Sequence, residues 1–242
     1  MADRPTPKLM ADRLIVALDV PSVDQARALT DRQDPVVNFY KIGMWLFYAP
    51  GAERLIDDLI RRGKKIFLDC KMYDIGETVK QGVARATDRG VSIITVHGDP
   101  EIMQAAVAGK GGSAETRIFA ISVLTSMNDA SLAALGYRLA MKDLIDLRVK
   151  LASECGCDGV IASASDDPNG LRQVAGNPRL LVGTPGIRPA GSAVDDHKRP
   201  GTPAQAIARG ADYLVVGRPI VQQPDPVAAA RAIIAEMENG TA

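Results

Sequence analysis

Eight short apolar, β-branched runs recur along this chain at an average interval of about 30 residues, roughly the length of one βαβ unit. They are Leu14–Leu18, Val37–Ile42, Ile66–Cys70, Ser92–Val96, Arg117–Leu124, Gly159–Ala162, Leu180–Gly183 and Tyr213–Gly217. Most are continuously apolar rather than alternating, the pattern of strands buried on both faces of a parallel sheet. Helical patterns fill the intervals. Ser22 is placed to cap a helix reaching Thr30, and Gly51–Arg62, Glu77–Arg89 and Asp143–Cys155 each stop at a glycine. Pro203–Arg209 and Pro226–Glu238 begin on proline and end near Gly210 and Gly240, the asymmetry expected of helix starts and stops. Eight strands alternating with about eight helices predict a closed (β/α)8 barrel. A doubly wound open sheet is the alternative, but LDVPSVD follows the first strand where a dinucleotide fold would carry GxGxxG.

A barrel of this kind reaches ~250 residues, so one barrel domain spanning residues 1–242 is expected, and no low-complexity linker divides the chain. Lys and Arg number 29, as do Asp and Glu. Zero net charge gives no support to a general nucleic-acid or anionic-membrane binder, so any anion site must be local. Three cysteines do not make a disulfide framework and fit a reducing compartment. Cys155 and Cys157 lack a second pair and suitable histidines for zinc, and read as packing residues. The stretch MADRPTPKLMADRL has no apolar core of a signal peptide, and no apolar run approaches the ~18 residues of a membrane span. A cytoplasmic protein is expected.

In such a barrel the active site lies where the strands end. The first strand ends at Asp19, the second near Lys41, the third in Asp69-Cys70-Lys71, the fourth near His97 and the fifth at Thr125-Ser126. Alternation along the third strand puts Asp69 and Lys71 on one face and Ile66, Leu68 and Cys70 on the other. Four charges, Lys41, Asp69, Lys71 and Asp74, are therefore expected to converge in the barrel mouth and alternate in sign, either as a structural ion-pair network or as catalytic groups. Asp74 has a plainer role open to it, capping the next helix with Glu77 returning the bond. Thr78 could be a surface residue of that helix. After the seventh and eighth strands come Pro185-Gly186-Ile187-Arg188 and Gly217-Arg218. Glycine lets backbone amides approach an anion and arginine offers a bidentate fork, at the place where barrels of this kind often hold phosphate. Between them runs the long irregular stretch Pro189–Gly201 with His197-Lys198-Arg199, a loop of functional size.

These residues resemble the orotidine 5′-phosphate decarboxylase family. FLDCKMYDIGETV, residues 67–79, matches its Asp-x-Lys-x-x-Asp-Ile-x-x-Thr motif, and LIVALDV, YKIGMWLF, LTSM, VGTPGIRPAG and VVGRPI follow in family order over almost the whole chain. The resemblance implies a homodimer of barrels with shared active sites and one pyrimidine nucleotide in each mouth. It implies that Asp19 and Lys41 hold the ribose hydroxyls, that Asp69 sits near the departing carboxylate and that Lys71 faces C6. Asp74, Ile75 and Thr78 would come from the partner. Thr125 and Ser126 would contact the base, and Pro185, Arg188, His197, Gly217 and Arg218 would line the phosphate side. His197 stands where the family commonly has glutamine, and Gly76 where many members have proline. Lys41 and Lys71 occupy the space a cation would need, so no metal or organic cofactor is expected. Two other readings are a magnesium-dependent sugar-phosphate decarboxylase or hexulose-phosphate synthase on the same barrel, in which a carboxylate replaces Lys41, and a non-catalytic nucleotide-binding barrel.

Overall fold

Successive side chains of a strand point to opposite faces, and in this chain both faces are apolar. One set, including Ile15, Phe39, Phe67, Phe119, Ile161 and Tyr213, forms a cluster of its own. The other, including Val16, Tyr40, Ile66, Val96, Val160 and Leu214, packs with helix residues such as Leu55, Val83, Met103 and Val149. A layer built from strand residues alone, backed by one shared with helices, is the mark of a sheet closed on itself and sheathed by helices. The computed structural model, which describes residues 4–189 and 201–240, has that architecture.

Strands β1 (Leu14–Ala17), β2 (Phe39–Gly43), β3 (Lys65–Met72), β4 (Ile93–His97), β5 (Arg117–Ile121), β6 (Gly159–Ile161), β7 (Leu181–Pro185) and β8 (Tyr213–Val216) pair in sequence order into a closed barrel. β8 returns to β1 in parallel register, Leu14 beside Leu214 and Val16 beside Val216. The helices are α1 (Val23–Gln33), α2 (Met44–Phe47), α3 (Ala52–Arg61), α4 (Gly76–Asp88), α5 (Pro100–Lys110), α6 (Asp129–Ala134), α7 (Met141–Glu154), α8 (Pro168–Ala175), α9 (Pro203–Ala208), α10 (Arg218–Val221) and α11 (Pro226–Asn239). All eight expected strands are present. Ser22 caps α1 as expected, its hydroxyl accepting from the Gln25 amide. The sequence reading did not give α2, α5, α6, α8 or α10. Three of these have only four to six residues, and α5 is rich in alanine, so its apolar stripe is weak.

The two ends of the barrel differ in chemistry. At the ends where the strands begin, buried Asp212 accepts from the Val182 amide (2.7 Å) and pairs with Arg172. Thr6 reaches the same carboxylate, and Arg117 bonds both Tyr213 Oη and the Pro5 carbonyl. This satisfied network closes the bottom and leaves the opposite end for a site. Among the described residues, no helix is long and apolar enough to cross a membrane.

Candidate active site

A cavity of about 450 Å³ opens where the strands end, within the usual range for a small-molecule site. Its apolar floor is the last layer of the barrel interior, Ala17, Phe67, Ile121, Ile161 and Val215. Around it stand Asp19, Lys41, Asp69, Lys71, Thr125, Pro185, Arg188, Gly217 and Arg218. Nine of the residues expected from sequence are thus brought together.

Four of them form an ion-pair chain of alternating sign. Asp19 Oδ1 lies 3.0 Å from Lys41 Nζ, Lys41 Nζ lies 3.5 Å from Asp69 Oδ2, and Asp69 Oδ1 lies 2.8 Å from Lys71 Nζ. Gly43 is part of this arrangement. A Cβ there would stand 3.0 Å from Asp19 Oδ1 and 3.1 Å from Lys41 Nζ, closer than carbon comfortably approaches either. Burial by itself would raise the Asp69 carboxyl. The charges of Lys41 and Lys71, with hydrogen bonds from Lys71 and Thr95, overcome this and hold it below the ordinary carboxylate value. The result is a desolvated carboxylate that stays charged beside a lysine whose amine is aimed into the cavity.

Simple alternation does not carry strand β3 to its end. The β3–β4 register shifts between Leu68 and Met72, and Lys71 adopts φ 47°, in the left-handed region. A non-glycine residue there costs on the order of 1–3 kcal/mol, and such bulges re-aim side chains at barrel rims. The Lys71 amide, freed from the ladder, donates to Thr95 Oγ1 (3.0 Å), and Thr95 Oγ1 donates to Asp69 Oδ1 (3.1 Å). Sequence reasoning missed Thr95. The available signal was parity, since Thr95 lies two residues beyond inward-facing Ile93 in an otherwise apolar strand. Trp45 and Gln222 also line the cavity and were not singled out.

Asp74 corrects two expectations. It is exposed and does not join the charges in its own barrel mouth; its place in the chain of four is taken by Asp19. Nor does it form a capping box. Helix α4 starts from Ile75 with no side-chain cap, because Asp74 Oδ1 turns onto the adjacent Ile75 amide (2.7 Å). Ile75 and Thr78 are exposed and outside the cavity, as is Ser126. Ile75 and Asp74 lie on the same exposed segment as Tyr73, whose ring packs against His97. Burial lowers the His97 pKa; Asp99 opposes this, while Arg148 and Lys71 act with burial.

Two arginines line the other side of the mouth. Arg188 is buried, its guanidinium donating to the Ile187 carbonyl (2.9 Å) and its amide to the Gly201 carbonyl (3.0 Å). That amide bond and the Ile187–Gly201 bridge bring the two ends of the 189–201 stretch together beside the cavity. His197 lies outside the described residues. Half-buried Arg218 follows Gly217 directly at the end of β8. At the end of β5, Arg148 donates to the Ser122 carbonyl (2.9 Å) and to Tyr137 Oη (3.0 Å), anchoring the turn that presents Thr125.

Comparison with known proteins agrees with this geometry. Residues 12–233 match the model of the family described as orotidine 5′-phosphate decarboxylase / HUMPS. An orotidine 5′-phosphate decarboxylase of Rhodopseudomonas palustris strain BisA53 is 51% identical over 230 residues, covering 95% of this chain and 96% of that one. The protein of that description from Afipia carboxidovorans is 51% identical over 232 residues, covering 96% and 97%. The crystal structure of orotidine 5′-phosphate decarboxylase from Lactobacillus acidophilus superposes with a TM-score of 0.81 at 34% identity, covering 93% of this chain and 99% of that one. This chain, a closed parallel barrel with charged groups at the ends of β1–β3 and arginines after β7 and β8, therefore belongs to the orotidine 5′-phosphate decarboxylase family.

Proposed function

We propose that this chain converts orotidine 5′-phosphate into uridine 5′-phosphate and CO2, a step of de novo pyrimidine biosynthesis, with Lys71 as the group on which the reaction turns. The observation that carries the reading is the ion-pair chain Asp19–Lys41–Asp69–Lys71 over an apolar floor. Its order around the barrel follows the order of groups along a nucleotide. Arg188 and Arg218, after β7 and β8, take the phosphate with Pro185 and Gly217. Asp19 and Lys41, at the ends of β1 and β2, take the ribose hydroxyls. Asp69 and Lys71 on β3 meet C6 and its carboxylate, and Thr125 and Ser126, beyond β5, meet the base.

Loss of CO2 leaves an electron pair on C6, a ring carbon with no adjacent carbonyl to delocalise it. A fixed ammonium stabilises that charge as it develops, and interactions present only late in the reaction are the ones that raise kcat. The same lysine then delivers its proton to C6. Asp69 keeps Lys71 charged and aimed. The phosphate contacts, remote from the chemistry, supply binding energy that holds the base against the lysine.

The chain acts as one barrel unit and, in this reading, as one half of a homodimer. Asp74, Ile75 and Thr78 are exposed and outside their own cavity, and Met44, Trp45, Tyr48 and Tyr73 are large apolar side chains that are also exposed. Large apolar side chains left exposed suit an interaction surface, and in this reading Asp74 enters the partner's mouth beside Lys71. A lysine at position 41 repels a divalent cation, which favours this chemistry over that of the magnesium-dependent barrels. Free thiols at Cys70, Cys155 and Cys157 suit a reducing cytoplasm. Protein dialysed against EDTA is expected to convert orotidine 5′-phosphate to uridine 5′-phosphate at the undialysed rate, followed by absorbance. Activity lost with EDTA and restored by Mg2+ would replace this reading with the metal-dependent one.

A further inference from the structure

Lys71 and Asp69 are two residues apart on β3, and the bulge between Leu68 and Met72 decides whether both amine and carboxylate reach the same point of the cavity. A bulge leaves a backbone amide without its ladder partner, and a left-handed lysine returns to an extended conformation unless something holds it. Both requirements fall on one atom. Thr95 Oγ1 accepts from the Lys71 amide at 3.0 Å and donates its single proton to Asp69 Oδ1 at 3.1 Å. The residue is completely buried. We propose that Thr95 is a positioning residue for the decarboxylation, its hydroxyl locking the strand-3 bulge to the Asp69 carboxylate so that Lys71 is held at the reacting carbon.

The chemistry of a hydroxyl makes this specific. Serine keeps the donor and acceptor and loses only a methyl group; valine keeps the shape and loses both bonds. With valine the Lys71 amide and one Asp69 lone pair are left without their partner, and the lysine and carboxylate are no longer tied to one strand position. Substrate binding, which rests mainly on the phosphate and ribose contacts, is untouched. The loss therefore belongs in kcat rather than KM.

This inference rests on the proposed role of Lys71, so Lys71→Ala is measured beside it. Thr95→Val is expected to lower kcat at least thirtyfold, with KM and the inhibition constant of uridine 5′-monophosphate within about threefold of wild type. Thr95→Ser is expected to keep kcat within about threefold. Should Thr95→Val fail to fold, Thr95→Ala gives the same comparison with serine. Equal losses in the serine and valine variants would show that the hydroxyl is not what holds the site and would overturn the proposal. So would a valine variant that melts earlier yet turns over normally. A Lys71→Ala variant that remains active would instead overturn the reading of the site itself.

Discussion

Arg218 and Lys71 sit in one cavity, and in the proposed reaction they act on different parts of the substrate. Arg218 meets charge that is present throughout the reaction, whereas Lys71 meets charge that exists only as CO2 departs. Arg218→Ala is therefore expected to lower kcat/KM for orotidine 5′-phosphate by about 3 kcal/mol or more, the scale of a truncated buried charge-to-phosphate contact. Turnover of orotidine, which has no phosphate, should change far less. Equal losses on both substrates would place Arg218 in a structural ion pair. Individual residues were legible in the sequence to the extent that their chemistry was conspicuous. Asp69 and Lys71 stand out as charges at the end of an apolar strand, and Arg188 and Arg218 as arginines beside glycines where phosphate is often held. Thr95 does not stand out, because a buried threonine is also an ordinary strand former. Asp74 was misplaced within its own chain because proximity in sequence to Lys71 says nothing about which way a side chain turns at a strand end.

The strands were legible because burial on both faces leaves a continuous apolar run, and several helices because glycine and proline punctuate them, although α5 and α8, which also start on proline and end at glycine, were not read. The bulge in β3 was not, since it is a property of pairing with β4 rather than of the β3 sequence. Packing inside the barrel also depends on facing strands. Phe119 fills the interior because β6 and β7 present Gly159 and Gly183 to it. A Cβ at Gly159 would lie 2.7 Å from Phe119 Cζ and 2.7 Å from the Leu181 carbonyl oxygen. The ring can shift but the backbone carbonyl cannot, so Gly159→Ala is expected to destabilise by about 1–3 kcal/mol, the usual cost of overpacking. The midpoint of urea unfolding measures this. An unchanged midpoint would mean that the barrel interior is looser at this level than the contacts indicate.

Two barrels, rather than one, complete the proposed reaction centre, and mixing variants tests that arrangement. Lys71→Ala and Asp74→Ala proteins are each expected to be nearly inactive. Refolded together in equal amounts they form about half heterodimers, each with one site intact and one doubly altered, by the symmetry of an isologous interface. Activity should return to roughly a quarter of wild type per chain; no return despite demonstrated heterodimers would mean that Asp74 serves its own barrel. The barrel, its open end and its charged strand ends were legible from one chain, whereas the proposed second copy has no signature in it beyond exposed apolar side chains such as Trp45 and Ile75. Whatever the assembly, the proposed reaction turns on the ammonium of Lys71, fixed by Asp69, which stabilises and then protonates C6. Its most direct test is the kcat of Lys71→Ala on orotidine 5′-phosphate, with uridine 5′-monophosphate binding measured on the same folded protein. Nearly complete loss of turnover with nucleotide binding retained is the expected result. A variant keeping more than about a tenth of wild-type kcat, a loss below roughly 1.4 kcal/mol in the barrier, would contradict it.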